Sequence, residues 1–200
     1  LRAPTDLQGR QKKLEGRIKE LIKGLDGDFV GSRVCAEELK SIGAPAIPAL
    51  IERLGHDDDA HVTASELIRE IGVDDAQFKA LSDLIRDKAI PKTTRTNAAY
   101  VLSKMKDRET MGILTENLAD EEIGKEIAAY LAWGFGVKAF PQIAEAFEKG
   151  IIDQEGLEEF TGYLKRDLKE QPLGDIYELL IYGKTDLERK WAAHALIELG

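Results

Sequence analysis

One cysteine among 200 residues excludes an intrachain disulfide. Cys35 alone fits a reducing compartment, so a cytoplasmic location is expected. Only 6 prolines are present, and no Pro-rich or Gly/Ser-rich linker marks a domain boundary. No apolar run approaches the ~18 residues that span a bilayer, no signal peptide is visible, and no membrane partner is expected. The chain begins at Leu1 rather than Met, as expected of a trimmed or processed chain or one missing its start. No Gly-rich phosphate loop occurs. Basic charge is also short: 28 Lys and Arg stand against 37 Asp and Glu, a net of −9. The deficit is uneven. Residues 1–100 hold 16 basic and 17 acidic side chains, a net of −1, while residues 101–200 hold 12 and 20, a net of −8. Nucleic-acid binders gain affinity by neutralising phosphates with clustered Lys and Arg, so nucleic acid is not an expected partner. The one basic stretch, RQKKLEGRIKELIK (10–23), is diluted by Glu15 and Glu20 and reads as the solvated face of a helix.

What the chain does have is ordinary globular composition, 43% hydrophobic and 32% charged, and an internal repeat. AEELKSIG (36–43), ASELIREIG (64–72), NAAYVLSKMK (97–106), IAAYLAWGFG (127–136) and WAAHALIELG (191–200) superpose without gaps. A small residue falls at Cys35, Ala64, Ala98, Ala128 and Ala192. Four residues on come Leu39, Ile68, Leu102, Ala132 and Leu196, and three further on Ile42, Ile71, Met105, Phe135 and Leu199. The next position holds Gly43, Gly72, Lys106, Gly136 and Gly200. The spacings are 29, 34, 30 and 64. The last is a double unit, and LEEFTGYLKRDL (157–168), which departs from the Ala-Ala pattern, fills it.

Apolar residues at i, i+4 and i+7 share one helical face, so each motif predicts a helix. The small residue admits a neighbouring helix, and the closing glycine suits the left-handed conformation that ends one. Second helices are predicted between them at 45–54, 75–88, 109–119, 138–150 and 173–183. No segment of real length alternates with period two, so no sheet is expected. A helix pair of this size cannot bury its apolar face alone, whereas stacked neighbours share a continuous core. The predicted fold is therefore all-α: an α-solenoid of about five to six stacked antiparallel helix pairs. Residues 1–26 form an N-terminal capping helix, and 27–200 form one continuous array. The last helix ends at Gly200 without a partner, so the chain continues, caps itself or dimerises.

These motifs resemble HEAT-repeat proteins of the armadillo-like class, particularly the short bacterial and archaeal repeats named after phycobilisome lyases. IGAPAIPALIERLGHDDD (42–59) and ERKWAAHALIELG (188–200) are the nearest matches, and the resemblance covers about residues 27–200. It is specific for fold and almost silent on function.

The resemblance also explains GHDDDAH (55–61). The family places a basic residue three before the first Ala, here Ser32, His61, Arg95, Lys125 and Arg189. Three residues earlier stand Asp28 or its neighbour Phe29, then Asp58, Lys92, Glu122 and Asp186, acidic in most repeats. Asp57, Asp58 or Asp59 can therefore cap a helix N-terminus and suit its positive dipole end. His56 sits at the end of the preceding helix. A zinc site needs three or four converging ligands, and His56 and His61 are five apart across a helix boundary, so no metal is expected. A calcium loop counted from Asp57 would need Gly and Glu where Val62 and Ile68 stand. ADEEIGKE (119–126) reads likewise as a helix start. No His-Glu dipeptide occurs, so the family's di-iron activity is set aside. Cys35, at the small-residue position, reads as core rather than nucleophile. Adjacent Glu158 and Glu159 diverge on a helix, where general acid–base work needs facing groups. No catalytic residue and no cofactor is assigned.

Trp133 projects away from the Ile127, Leu131, Phe135 stripe. It reads either as a binding anchor or as packing against an adjacent segment, the commoner fate of a tryptophan. The resemblance implies that second helices line a concave surface. Their expected exposed residues are Glu52, Arg53, Lys79, Asp83, Arg86, Glu116, Glu145, Glu148, Tyr177 and Glu178, mixed in charge at first and acidic later. An acidic groove steers a basic partner. The expected function is a non-catalytic binding or scaffold module for a basic or amphipathic protein segment. The alternatives are a lyase-like or enzyme-accessory protein holding a small molecule in the groove, or a structural segment of a longer solenoid.

Overall fold

A computed structural model describes residues 4–55, 60–105 and 108–199. Among them are α1 (Pro4–Gly24), α2 (Phe29–Ile42), α3 (Ile47–Arg53), α4 (Ala60–Ile71), α5 (Asp75–Arg86) and α6 (Lys92–Ser103). Then follow α7 (Arg108–Glu116), α8 (Gly124–Phe135), α9 (Phe140–Glu148), α10 (Gln154–Arg166), α11 (Leu173–Tyr182) and α12 (Asp186–Leu199). Short 3-10 turns stand at Ala44–Ala46, Gly136–Ala139 and Leu168–Glu170. No strand occurs among the described residues, and none of their helices is long and apolar enough to cross a membrane. The chain is all-α, and a helix stands at every motif. LEEFTGYLKRDL also lies in a helix: α10 buries Leu157, Phe160 and Leu164 at i, i+3 and i+7.

Local chemistry sets the helix ends. The Asp28 carboxylate accepts from the Gly31 N–H at 2.8 Å, and Asp153 accepts from the Gly156 N–H at 2.9 Å. Asp74 and Gln77 exchange bonds of 2.8 and 3.0 Å across the start of α5, a full capping box. Asp120 accepts from the Glu122 and Ile123 N–H groups just before α8, as a helix start in ADEEIGKE requires. Gly43 (φ 75°), Gly72 (φ 84°) and Gly136 (φ 58°) close α2, α4 and α8 in conformations that side chains disfavour. Gly43 and Gly136 have ψ near −140°, outside the left-handed helical well, so only glycine suits them. The expected caps at Asp57, Asp58 and Asp59, with His56, and the repeat positions Lys106 and Gly200, lie outside the described residues.

The chain divides into two compact units, Leu1–Val101 and Leu102–Gly200. In unit 1, α2 packs on α1 and α4, and α3 packs on α1, α4 and α5. Its core is aliphatic: Leu39, Ile47, Leu50, Leu54, Ile68, Leu81 and Ile85 are fully buried, each contributing roughly 1.5–3 kcal/mol. In unit 2, α8 packs on α7 and α10, α9 on α10, and α12 on α9 and α11. Its core is also largely aliphatic, with Leu102, Leu114, Ile127, Leu131 and Ile143 fully buried, but it adds an aromatic cluster. The Phe140 ring meets Phe160 at 5.7 Å and Trp191 at 4.9 Å between centroids. A Cβ at Gly134 would run into the Ser103 carbonyl, so that glycine permits a close backbone approach.

Candidate partner-binding surface

In unit 2 the flank of α11 beside α9 forms a cleft. The helix turns Ile176 into the core. Asp175, Glu178, Leu179 and Tyr182, at i, i+3, i+4 and i+7, then line one flank. Opposite them stand Val137, Lys138 and Pro141, and Lys184 and Glu188 close the end of a space of about 290 Å³. Lys138 Nζ lies 3.7 Å from Asp175 Oδ2. Glu188 is buried. Its carboxylate accepts from the Lys184 N–H at 2.9 Å and the Thr185 hydroxyl at 3.2 Å, while Thr185 Oγ1 accepts from the Glu188 N–H at 3.1 Å. This exchange fixes the start of α12. On α9, Phe140, Ile143 and Ala144 face inward, leaving Glu145 and Glu148 in solvent. Lys149 Nζ donates to Glu145 at 2.5 Å. That hydrogen bond and its charge hold the Glu145 carboxyl below its ordinary range, and Lys184 adds to the effect. The cleft thus offers apolar walls, an exposed Glu178 carboxylate and the Asp175 carboxylate beside Lys138.

Unit 1 has a different cleft, between α1 and α3, of about 300 Å³, lined by Lys19, Ile22, Lys23, Asp26, Ala49, Glu52 and Arg53. Glu52 is exposed at its rim. Arg53, expected in solvent, is only 3% exposed and ion-paired with Asp26. The reason is register. Ile47, Leu50 and Leu54 define the inner face of α3, and position 53 falls beside them. Its apolar stem is covered, and Asp26, 27 residues earlier, receives the charged head. On α5, Lys79 pairs with Asp83 one turn on, and Arg86 is exposed.

The recurring basic position has a structural role at Arg95 and Arg189. Arg95 is fully buried and its Nε donates to the Ile85 carbonyl at 2.9 Å, near the end of α5. Arg189 donates to the Gly183 carbonyl, just past α11, and to Asp186, each at 2.5 Å. In both cases the guanidinium satisfies a carbonyl that the end of the preceding helix leaves open. Lys125 instead reaches Glu155 of α10 at 2.6 Å. Cys35 is half-buried rather than core, its Sγ lying where a Cβ on Gly24 would collide.

Trp133 combines both expected fates. It is 42% exposed, yet its ring stands edge-on to Tyr163 of α10 at 4.8 Å and tilted to Tyr130 at 5.8 Å. The Arg166 guanidinium lies 4.2 Å over the Tyr163 ring. This cluster belongs to α8 and α10, not to the predicted second helices. Tyr177 is exposed but lies off the α9-facing flank of α11. Glu116 is exposed on α7. Of the candidates in unit 2, then, Glu178 lines the cleft and Glu145 lies within electrostatic reach of Lys184 beside it.

Asp175, Lys184 and Glu188 are cleft residues that the sequence did not single out. Two signals were present: the helical spacing of 175, 178, 179 and 182, and Thr-x-x-Glu at 185–188 before an apolar run. Among the described residues no three His, Cys, Asp or Glu side chains gather as metal ligands would. No protein-family model matches the chain, and no curated protein matches it in sequence.

Proposed function

We propose that this chain is a HEAT-like α-solenoid of about five to six stacked antiparallel helix pairs serving as a non-catalytic binding or scaffold module. Its partner is a basic or amphipathic protein segment lying along the second helices α7, α9 and α11. One observation carries the reading: the cleft beside α11 joins apolar walls from Pro141, Leu179 and Tyr182 to the carboxylates of Asp175 and Glu178. A lysine or arginine needs both, an apolar wall for its stem and carboxylates for its head. The −8 balance of residues 101–200 adds long-range attraction for such a segment.

The test is affinity capture from source lysate at low and moderate salt, read by mass spectrometry. A second bait carries Glu145→Lys, Glu148→Lys and Glu178→Lys. The expected result is one stoichiometric protein, weakened by salt and lost from the charge-reversed bait. A co-purifying small molecule with no protein overturns the reading in favour of a lyase-like or enzyme-accessory role.

A further inference from the structure

The most basic described helix of this acidic chain is α1, with 6 basic and 3 acidic side chains over residues 4–24. It takes no part in the proposed function. Ile18 and Leu21 turn inward, and on one flank Arg17 reaches Glu38 of α2 at 2.5 Å. The other flank meets α3 and builds one wall of the unit 1 cleft, with Lys19, Ile22 and Lys23 at i, i+3 and i+4. Ala49, Glu52 and Arg53 of α3 build the other wall. Lys19 and Lys23 are exposed, and neither bonds to nor pairs with any described residue. Like charges one turn apart destabilise a helix, and an anion held by both converts that repulsion into attraction. Arg53 lines the cleft although it is buried, with its charge paired to Asp26. That pair cancels itself, so the two lysines are opposed by Glu52 alone, at the rim on the α3 side. Half-buried Ile22 and Ala49 place apolar surface beside the amines.

We propose that this cleft binds a small organic acid, its carboxylate between the Lys19 and Lys23 ammonium groups and its apolar body against Ile22 and Ala49. Each ammonium carries three donors on a flexible stem, so two of them can share one carboxylate. Such charge-assisted bonds are the stronger kind. The space of about 300 Å³ stands at the small end of ligand cavities and suits a compact molecule. A more highly charged anion such as phosphate fits less well. Asp26 and Glu52 line the same cleft, the whole chain carries −9, and the Ile22 and Ala49 surface would stay uncovered. A neutral apolar compound covers that surface but leaves the lysines without a counter-charge.

Titration of hexanoate into the whole isotope-labelled chain, followed by amide NMR shifts, tests this. Saturable shifts are expected, confined to residues 19–26 and 49–53. Acetate keeps the head without the body, and hexanol keeps the body without the charge. Each of these, and inorganic phosphate, should bind at least about tenfold more weakly than hexanoate. Two variants probe the two halves of the site. Lys19→Gln with Lys23→Gln removes both charges at exposed positions. Ala49→Leu leaves every charge in place and fills the cleft. Each should weaken hexanoate by more than about tenfold, while circular dichroism checks that the helices are kept. Hexanoate that gives no saturable shift, or shifts scattered over other lysines, overturns the proposal. So does hexanol or phosphate binding as tightly as hexanoate, or either folded variant keeping wild-type affinity. Glu145, Glu148 and Glu178 are untouched and no partner protein is added, so failure here leaves the proposed function standing.

Discussion

Residues up to Val101 bury Arg53, Arg95 and Asn97 among aliphatic side chains, whereas residues from Leu102 onward bury the Phe140 ring against Phe160 and Trp191. The two units thus meet the same requirement differently. Every helix ends in carbonyls without intrahelical partners, and neighbouring helices must also be held in register. Unit 1 does both with polar side chains on backbone: Arg95 on Ile85 and Asn97 on Leu54 at 2.8 Å. Unit 2 adds ring packing and a contact of its own from the Val137 N–H to Gln171 Oε1 at 3.1 Å, and Arg189, bonded at the end of α11, is half-exposed. A buried hydrogen bond is directional and costs most when one partner is removed. Ring packing is less directional but buries more area for each side chain. The surfaces differ too, with net charges of −1 and −8 for residues 1–100 and 101–200.

The comparison can be broken by substitution. The largest effect is expected from Phe140→Ala, which removes the ring shared by Phe160 and Trp191 and should cost about 3–5 kcal/mol in urea unfolding. Next comes Arg95→Leu, which strips the Ile85 carbonyl of its donor inside an apolar core and should cost about 2–3 kcal/mol. If Arg95→Leu proves neutral, the polar account of unit 1 is wrong. Asn97→Ala should cost about 1–2 kcal/mol and speed amide exchange at the end of α3, where the Leu54 carbonyl loses its partner. Asp74→Ala, a cap rather than a core group, should cost about 1 kcal/mol.

The smallest effect is electrostatic. Hydrogen bonds from Arg17, Lys40 and Lys149 hold the Glu38, Glu70 and Glu145 carboxyls below their ordinary range. Their stabilising contribution is complete above the unfolded carboxylate pKa, about 4.3. It is lost as pH falls through the lower folded values. Lys40 and Lys125 are raised by Glu70 and Glu155, so their share persists at neutral pH and fades only as pH rises through those raised values. All these groups are exposed, so urea midpoints from neutral pH down through the carboxylate range should fall only slightly, and less in high salt.

Helix positions, capping aspartates and closing glycines were legible because each depends on residues within about a turn. The spacing of Leu39, Ile42 and Gly43 states where α2 turns its face and where it stops, with no need of the rest of the chain. The candidate surface was legible only in part. Glu145, Glu148 and Glu178 follow from periodicity and are exposed. Arg53 misled because charge argues for solvent, while position 53 sits beside the inner face of α3 and Asp26 waits there. Tyr177 and Glu178 are adjacent in sequence, yet only Glu178 lines the cleft. The 100° step between them has a consequence only once α9 stands on one flank of α11.

The sequence by itself determined an all-helical chain, the approximate places of its helices, its lone thiol and its acidic second half, because composition and short-range backbone geometry decide those. Tertiary structure alone decided that Arg95 closes α5, that Trp133 meets Tyr163, and that the flanks of α11 differ. Each of those depends on which surface lies opposite, and packing brings residues many positions apart together through contacts that no local pattern encodes.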